Sequence, residues 1–242
     1  MKGLIHLTGL RKLDLGANRI RFMDGNELSG LSSLEELWLG KNKIEKIEGL
    51  EKLTKLRKLD VQSNRLTSIE NLNAQKDTLE ELYLSHNGID NAGASLESGL
   101  AQSFSVLTIL DLSRNRLVDC QPFSHLYTLE DLWISGNDIT SFKDVSSISV
   151  LGERDGSRLE CIYLEYNPVD KEFEYRKKVK ELIPSLKQID ADMIISEANH
   201  RITQEGSTSA VKSLQERMGL MQEAALTRAS LETDGRVSCL KK

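Results

Sequence analysis

The chain has 242 residues, of which 39% are hydrophobic and 29% charged, ordinary proportions for a soluble protein of one large or two smaller domains. Its net charge of −5 removes the broad cationic character on which nonspecific nucleic-acid binding depends. No segment approaches the roughly 20 apolar residues that span a bilayer, and the N-terminus lacks the apolar stretch of a signal peptide, so neither a membrane nor direct contact with nucleic acid is expected.

From Leu10 onward one frame recurs, L-x-x-L-x-L-x-x-N, with isoleucine or valine tolerated at apolar positions. The copies are LRKLDLGAN, LEELWLGKN, LRKLDVQSN, LEELYLSHN, LTILDLSRN, LEDLWISGN and LECIYLEYN, starting at Leu10, Leu34, Leu56, Leu79, Leu107, Leu129 and Leu159. Each ends on asparagine: Asn18, Asn42, Asn64, Asn87, Asn115, Asn137 and Asn167. This is the leucine-rich-repeat signature. Each copy predicts a short strand with inward leucines, then a turn where the asparagine satisfies backbone groups, then a second apolar set, which in the second repeat is Ile44, Ile47, Leu50 and Leu53. One unit cannot bury its own apolar face, but stacked units share a continuous core. The expected fold class is therefore α/β: a leucine-rich-repeat solenoid over 1–169, a curved horseshoe with a parallel sheet on its concave face and short helical turns on its convex side.

Ahead of the first frame, GLIHLTGL looks like the tail of a preceding repeat without a polar cap. The expectation is a chain that starts inside the repeat array, or one whose first face is covered by a partner. The repeat starts are separated by 24, 22, 23, 28, 22 and 30 residues. The two longer intervals place extra chain in NAGASLESGLAQSF (91–104) and VSSISVLGERDGSR (145–158), expected as surface loops that accept added length or meet a partner. After Asn167, DKEFEYRKKVKELIPSLKQID predicts a C-terminal helical cap over 170–192, with Phe173, Val179 and Leu182 as its apolar stripe and Pro184 closing the helix. Residues 193–242 are expected to form a partly helical or disordered tail, with Val211, Leu214, Met218, Met221 and Ala225 at helical spacing.

With the register fixed, the outward positions follow from the two-residue period of a strand. The fifth column reads Asp14, Trp38, Asp60, Tyr83, Asp111, Trp133 and Tyr163, and it holds both tryptophans of the chain. At about 4.8 Å per strand these side chains form a ribbon roughly 30 Å long. The third column adds Lys12, Glu36, Lys58, Glu81, Ile109, Asp131 and Cys161, and the seventh adds Glu165 among small residues. The floor so described is acidic and aromatic, whereas the tenth column is basic at Arg19, Lys43, Arg65 and Arg116. Tryptophan and tyrosine gathered in one groove have the composition of interface anchors, with the carboxylates orienting a basic partner. The competing structural reading is that the rings only stack across strands and stabilise the sheet.

Signatures of catalysis are missing from the sequence. His6, His86, His125 and His200 are scattered, and there is no HExxH, glycine-rich phosphate loop or metal-spaced cysteine and histidine set. Cys120, Cys161 and Cys239 have neither paired nor metal-ligating spacing, and no Asn-x-Ser/Thr acceptor occurs, which suits a reducing compartment. A non-catalytic protein without cofactor or metal is expected. Arg19-Ile20-Arg21-Phe22 matches a basic-aliphatic-x-aromatic peptide that docks on type-1 phosphatase by strand addition. Ile20, however, holds the repeat position of Ile44 and Leu66 and is expected to be buried, unavailable to an extended peptide.

The runs LGKNKIEKIEGLEKLTKLRKLDVQSNRLTSIENLNA, LEELYLSHNGI and LEYNPVDKEFEYRKKVKELIPSLKQIDA resemble the leucine-rich-repeat regulatory subunits of protein phosphatase 1, the regulatory subunit 7 family, within residues 1–192. The resemblance implies a nuclear and cytoplasmic scaffold whose concave face holds the phosphatase catalytic subunit, sometimes with an inhibitor subunit, in maturation, targeting and chromosome segregation. Carried over by repeat position, the family's contacts fall on Asp14, Trp38, Asp111, Asp131, Trp133 and Tyr163. The family has further upstream repeats that contribute contacts, and this chain adds insertions and a tail, so a weaker or altered partnership is an open alternative. The cap and repeats also resemble leucine-rich scaffolds of spliceosomal and axonemal complexes, which implies a different partner.

Overall fold

A computed structural model describes residues 2–94, 104–153 and 158–194. Each leucine frame becomes a three-residue strand: β1 Lys12–Asp14, β2 Glu36–Trp38, β3 Lys58–Asp60, β4 Glu81–Tyr83, β5 Ile109–Asp111, β6 Asp131–Trp133 and β7 Cys161–Tyr163. Two short strands follow, β8 Gln188–Ile189 and β9 Asp192–Met193. They stack in sequence order into one curved, unclosed sheet, parallel from β1 to β8 and antiparallel between β8 and β9. The register keeps every repeat position in its own column: Leu13, Leu37, Leu59, Leu82, Leu110, Leu132 and Ile162 face the core together. The expected second apolar set, Ile44, Ile47, Leu50 and Leu53, is fully buried on the other side of that core.

Strands end after three residues because the chain turns, and the turn is the same in each repeat. The residue before each asparagine adopts a left-handed backbone, with φ between 54° and 66° at Ala17, Lys41, Ser63, His86, Arg114, Gly136 and Tyr166. The first six of these residues each donate an N–H to the next repeat, as in Lys41 N to Gln62 O at 2.9 Å and Arg114 N to Ser135 O at 2.7 Å. The asparagine then fills the turn. Asn115 Nδ2 donates to Leu112 O and Ser113 O of its own repeat and to Leu84 O of the one before, at 3.0, 3.3 and 3.0 Å, while its Oδ1 accepts from Ile89 N at 3.1 Å. Asn42, Asn64, Asn87 and Asn137 repeat this pattern. Carbonyl and amide groups that the sheet cannot pair are thereby satisfied between neighbours.

The convex side carries short helical turns: α1 Gly25–Leu28, α2 Phe142–Val145 and α3 Val150–Glu153, with 3-10 turns at Asn73–Gln75, Gln121–Phe123, Ser146–Ile148 and Pro168–Lys171. Gln75 substitutes for an apolar residue there, wholly buried, with Nε2 donating to Leu50 O at 2.7 Å and Leu53 O at 3.1 Å. The expected surface loop at 145–158 is corrected over its first part. Val145, Ile148 and Leu151 are buried, because α2, its following 3-10 turn and α3 wind their apolar residues into the core, starting from a capping box between Ser141 and Asp144. Its residues 154–157, like 95–103 of the other insertion, lie outside the described residues.

The cap is α4, Tyr175–Leu182, followed by Pro184. Val179 is buried and Leu182 half-buried, as expected, but Phe173 is 79% exposed and precedes the helix. Glu174, at φ 56°, turns the chain immediately after Phe173, so the buried positions pass to Tyr175, Ile183 and Leu186. Asp190 fastens the cap: its Oδ1 accepts from Leu164 N and Glu165 N at 2.9 Å each. Ile20 is only half-buried, in contrast to fully buried Ile44 and Leu66, and Phe22 is exposed, yet Ile20 N donates to Asn42 Oδ1 at 3.0 Å and is committed to the repeat. Of the tail expected at 193–242, only Met193 and Ile194 are described, so the helical spacing at 211–225 and Cys239 lie outside the described residues.

Asn115→Ala should lower the unfolding free energy by about 2–3 kcal/mol, since it leaves buried backbone partners unmatched. Asn18→Ala, at an exposed member of the ladder, should stay within about 0.5 kcal/mol of wild type. Urea midpoints measure both, and equal shifts for the two variants contradict the ladder's role.

Candidate protein-binding face

The fifth and third columns stand on the concave face in the register read from the sequence. Asp14, Trp38, Asp60, Tyr83, Asp111, Trp133 and Tyr163 are successive partners across β1 to β7. The aromatic rings close into a file that passes over the aspartates between them. Trp38 stacks on Tyr83 with centroids 6.3 Å apart, Tyr83 tilts against Trp133 at 6.2 Å, and Trp133 meets Tyr163 edge-on at 6.0 Å. Separations of this size lie within the range of favourable ring pairs.

Beneath the file, the aspartates are less available than their outward positions suggest. Asp60 is 1% exposed and Asp111 8%, whereas Asp14, at the start of the sheet, is exposed. In all three the carboxylate folds back on its own chain, and Oδ1 accepts the backbone N–H two residues on, at Gly16, Gln62 and Ser113, at 2.8 to 2.9 Å. Such an Asx turn ends the strand. Burial pushes the Asp111 carboxyl above its ordinary value, against the lowering effect of the Ser113 hydrogen bonds.

The third column supplies a second layer. In the N-terminal half it forms two matched sets. Lys12 Nζ pairs with Glu36 at 2.9 Å, and Glu36 also accepts from Trp38 Nε1 at 3.0 Å. Lys58 pairs with Glu81 at 2.8 Å, and Glu81 accepts from Tyr83 OH at 2.8 Å. Lys12 additionally lies over the Trp38 ring, 5.1 Å from its centroid. The Lys12 ammonium, with help from the Trp38 N–H, holds Glu36 below the usual carboxylate range. Burial, then Glu81, pushes the Tyr83 phenol far up, so it remains a hydrogen-bond donor.

The C-terminal half differs. Its third column is Ile109, Asp131 and Cys161, without a lysine. Asp131 is half-buried and faces the buried Cys161 thiol, which burial and that carboxylate push up. Trp133 Nε1 is buried with no hydrogen-bond partner among the described residues, so stacking between Tyr83 and Tyr163 holds the ring. Tyr163 OH accepts from Gln188 Nε2 of the cap at 2.8 Å. Glu165 is raised by burial and by neighbouring Asp190.

Of the residues singled out by sequence, Trp38, Trp133 and Tyr163 are brought together in one file, Asp131 lies beside it, Asp14 stands at its first edge, and Asp111 lies under it. Two further participants fall outside that set. Tyr83, already in the fifth column, links both tryptophans. Gln188 belongs to a strand that keeps only the first half of the frame, Leu186-x-x-Ile189, and its pairing with β7 places it in the third column on the face. Among the described residues there is no cluster of metal-ligating side chains.

Comparison with known proteins agrees with this architecture. Family models described as leucine rich repeat match residues 8–66 and 76–96. Among relatives, the protein phosphatase 1 regulatory inhibitor subunit PPP1R7 homolog of Arabidopsis thaliana is 40% identical over 56% of this chain and 40% of its own length. The protein phosphatase 1 regulatory subunit SDS22 of Schizosaccharomyces pombe is 41% identical over 28% of this chain and 20% of its own. Bovine fibromodulin is 30% identical over 60% of this chain and 43% of its own. The chain thus spans less than half of the length of these relatives. Among solved structures, the leucine-rich-repeat protein LIC12759 of Leptospira interrogans superposes with a TM-score of 0.62 at 25% identity, covering 76% of this chain and 44% of that one.

Because the folded protein binds the Asp111 proton more tightly than the unfolded chain, this group stabilises most below the ordinary aspartate value of 3.8, and its contribution declines as pH rises through the higher folded value. Asp111→Asn keeps an acceptor for Ser113 N and removes the buried charge. The variant should be more stable than wild type at neutral pH, with an advantage that fades in acid. Urea unfolding across pH checks this; a variant less stable at neutral pH and equal in acid reverses the assignment.

Proposed function

For this leucine-rich-repeat protein, similar in sequence to regulatory subunits of protein phosphatase 1, we propose a non-catalytic regulatory role exercised by holding the phosphatase catalytic subunit on the concave face. One observation carries the reading: four large rings, Trp38, Tyr83, Trp133 and Tyr163, run as a continuous half-buried file along a groove floor. Ring stacking stabilises the sheet, yet a stable sheet does not require both tryptophans of the chain in one outward column. Pre-stacked rings lose little conformational freedom on binding, which favours them as anchors.

The two halves of the face have different parts in this proposal. In the first half, Glu36 and Glu81 are matched by Lys12 and Lys58, so the surface is preorganised and nearly neutral. In the second half, Asp131 and Glu165 flank Trp133 and Tyr163 without a lysine in the columns, and basic groups of the phosphatase would find their complement there. Asp14 contributes an exposed carboxylate at the first edge. Asp111 acts from below, by ending its strand under the rings. An inhibitor subunit would join at surface left outside this contact. Nuclear and cytoplasmic residence accompanies the proposal, supported by two buried free thiols, Cys120 and Cys161.

Titration calorimetry against a type-1 phosphatase catalytic subunit tests the assignment. Trp133→Ala should lose about 2 kcal/mol or more of binding free energy. Phe173→Ala, which removes an exposed ring from the cap, should bind as wild type does. Undiminished affinity of folded Trp133→Ala removes the concave file from the site, and a wild-type chain that does not bind removes the phosphatase as partner.

A further inference from the structure

The two rims of the sheet treat their cations in opposite ways. At the rim where strands begin, the basic residues are matched across neighbouring repeats: Arg57 grips Glu80 through two hydrogen bonds of 2.8 Å, Arg11 faces Glu35 at 3.5 Å, Arg158 faces Glu130 at 3.8 Å, and Lys187 meets Glu160. At the rim where strands end, the eighth and tenth repeat positions of the first five repeats include Arg19, Lys41, Lys43, Arg65, Arg114 and Arg116, and no acid occupies either column there. Arg65 has a loose, exposed pair with Glu45 at 3.7 Å. Among the described residues, no carboxylate forms an ion pair with Arg19, Lys43, Arg114 or Arg116.

Arg19, Lys43, Arg114 and Arg116 are not the partners of the floor glutamates, because Lys12 and Lys58 already match Glu36 and Glu81 from within it. They also repel one another. Strands about 4.8 Å apart place successive rim charges within a Debye length of roughly 8 Å, so their grouping is unfavourable without an anion. The left-handed eighth position points the same way. Glycine takes that backbone without cost, yet Lys41, His86 and Arg114 occupy it with long or ring side chains that the turn projects outward. The positive field reaches His86, whose pKa is lowered first by burial and then by Arg114.

We infer that this rim is a second interaction surface, distinct from the aromatic file, which takes an extended acidic protein segment. Its length decides the form of the ligand: five repeats span roughly 20 Å, the reach of about six residues of extended chain, and the row is only one or two side chains wide. The adjoining floor of the same five repeats, with Asp14, Asp60 and Asp111 beyond the lysine-matched glutamates, opposes a nucleic-acid duplex or an anionic bilayer, both of which are wide enough to bring fixed charge over it as well. A single acidic strand laid along the rim avoids it.

Fluorescence anisotropy with a labelled octaglutamate peptide, at roughly 50 mM salt where screening is weak, tests the inference. The whole chain should bind it, and the triple variant Lys43→Gln, Arg65→Gln, Arg116→Gln should bind at least about tenfold more weakly. A control pair on the cap, Lys171→Gln with Lys177→Gln, should leave binding unchanged. Circular dichroism establishes that the variants are folded, and Arg19→Gln with Arg116→Gln, both at exposed positions, serves if the triple variant is not. Absence of peptide binding by the wild-type chain, equal loss in the cap control, or full affinity in the rim variants overturns the inference. So does a thymidine octanucleotide or a phosphatidylserine vesicle that binds more tightly than the peptide. Phosphatase affinity of the rim variants reads the other surface separately and should stay at the wild-type value.

Discussion

The asparagine at the ninth position of each repeat is the interaction on which the rest of this molecule depends. A parallel strand of three residues satisfies few of its own backbone groups, and the turn that follows it would leave carbonyls facing apolar side chains. One carboxamide solves this for two repeats together, donating to carbonyls on both and accepting an amide from the earlier one. It also sets the stacking distance and register. Every other column of the solenoid, from the leucines of the core to the rings of the floor, inherits its alignment from that ladder.

The floor illustrates how one column can carry two kinds of residue for two purposes. Aspartate and aromatic positions interleave along the fifth column. The short acid folds back onto its own backbone and ends the strand, which leaves space above it, and the large rings on either side close over that space until they touch. The carboxylates and rings therefore do not compete for one surface. The rings take the upper layer; the acids lie below and shape it.

Charge is arranged with the same economy of position. Over the first four repeats lysine alternates with glutamate in the third column and arginine with glutamate in the second, and each pair bridges neighbouring strands. Because stacking converts repeat position into a column, a charge at one position in one repeat meets its opposite one strand away. The tenth column departs from that rule with like charges in successive repeats, and the C-terminal half of the floor departs from it by carrying acid without lysine. These two surfaces are the ones on which the proposed partners would act.

The frame L-x-x-L-x-L-x-x-N was enough by itself to determine the strands, their parallel order, the buried leucines and the membership of each outward column. Those properties repeat, and a repeated pattern can be read from one dimension. Tertiary structure alone decided what the repeat does not encode. Burial of Asp60 and Asp111 depends on rings from the strands on either side, and the central place of Tyr83 depends on contacts that skip a strand. Helical winding of 145–152 into the core, outward rotation of Phe173 at the left-handed Glu174, and arrival of Gln188 beside Tyr163 are set by packing at irregular joints. Sequence periodicity specifies which face a side chain leaves from, whereas its exposure and its neighbours are fixed only when chain segments that are distant in sequence come within a few ångströms of one another.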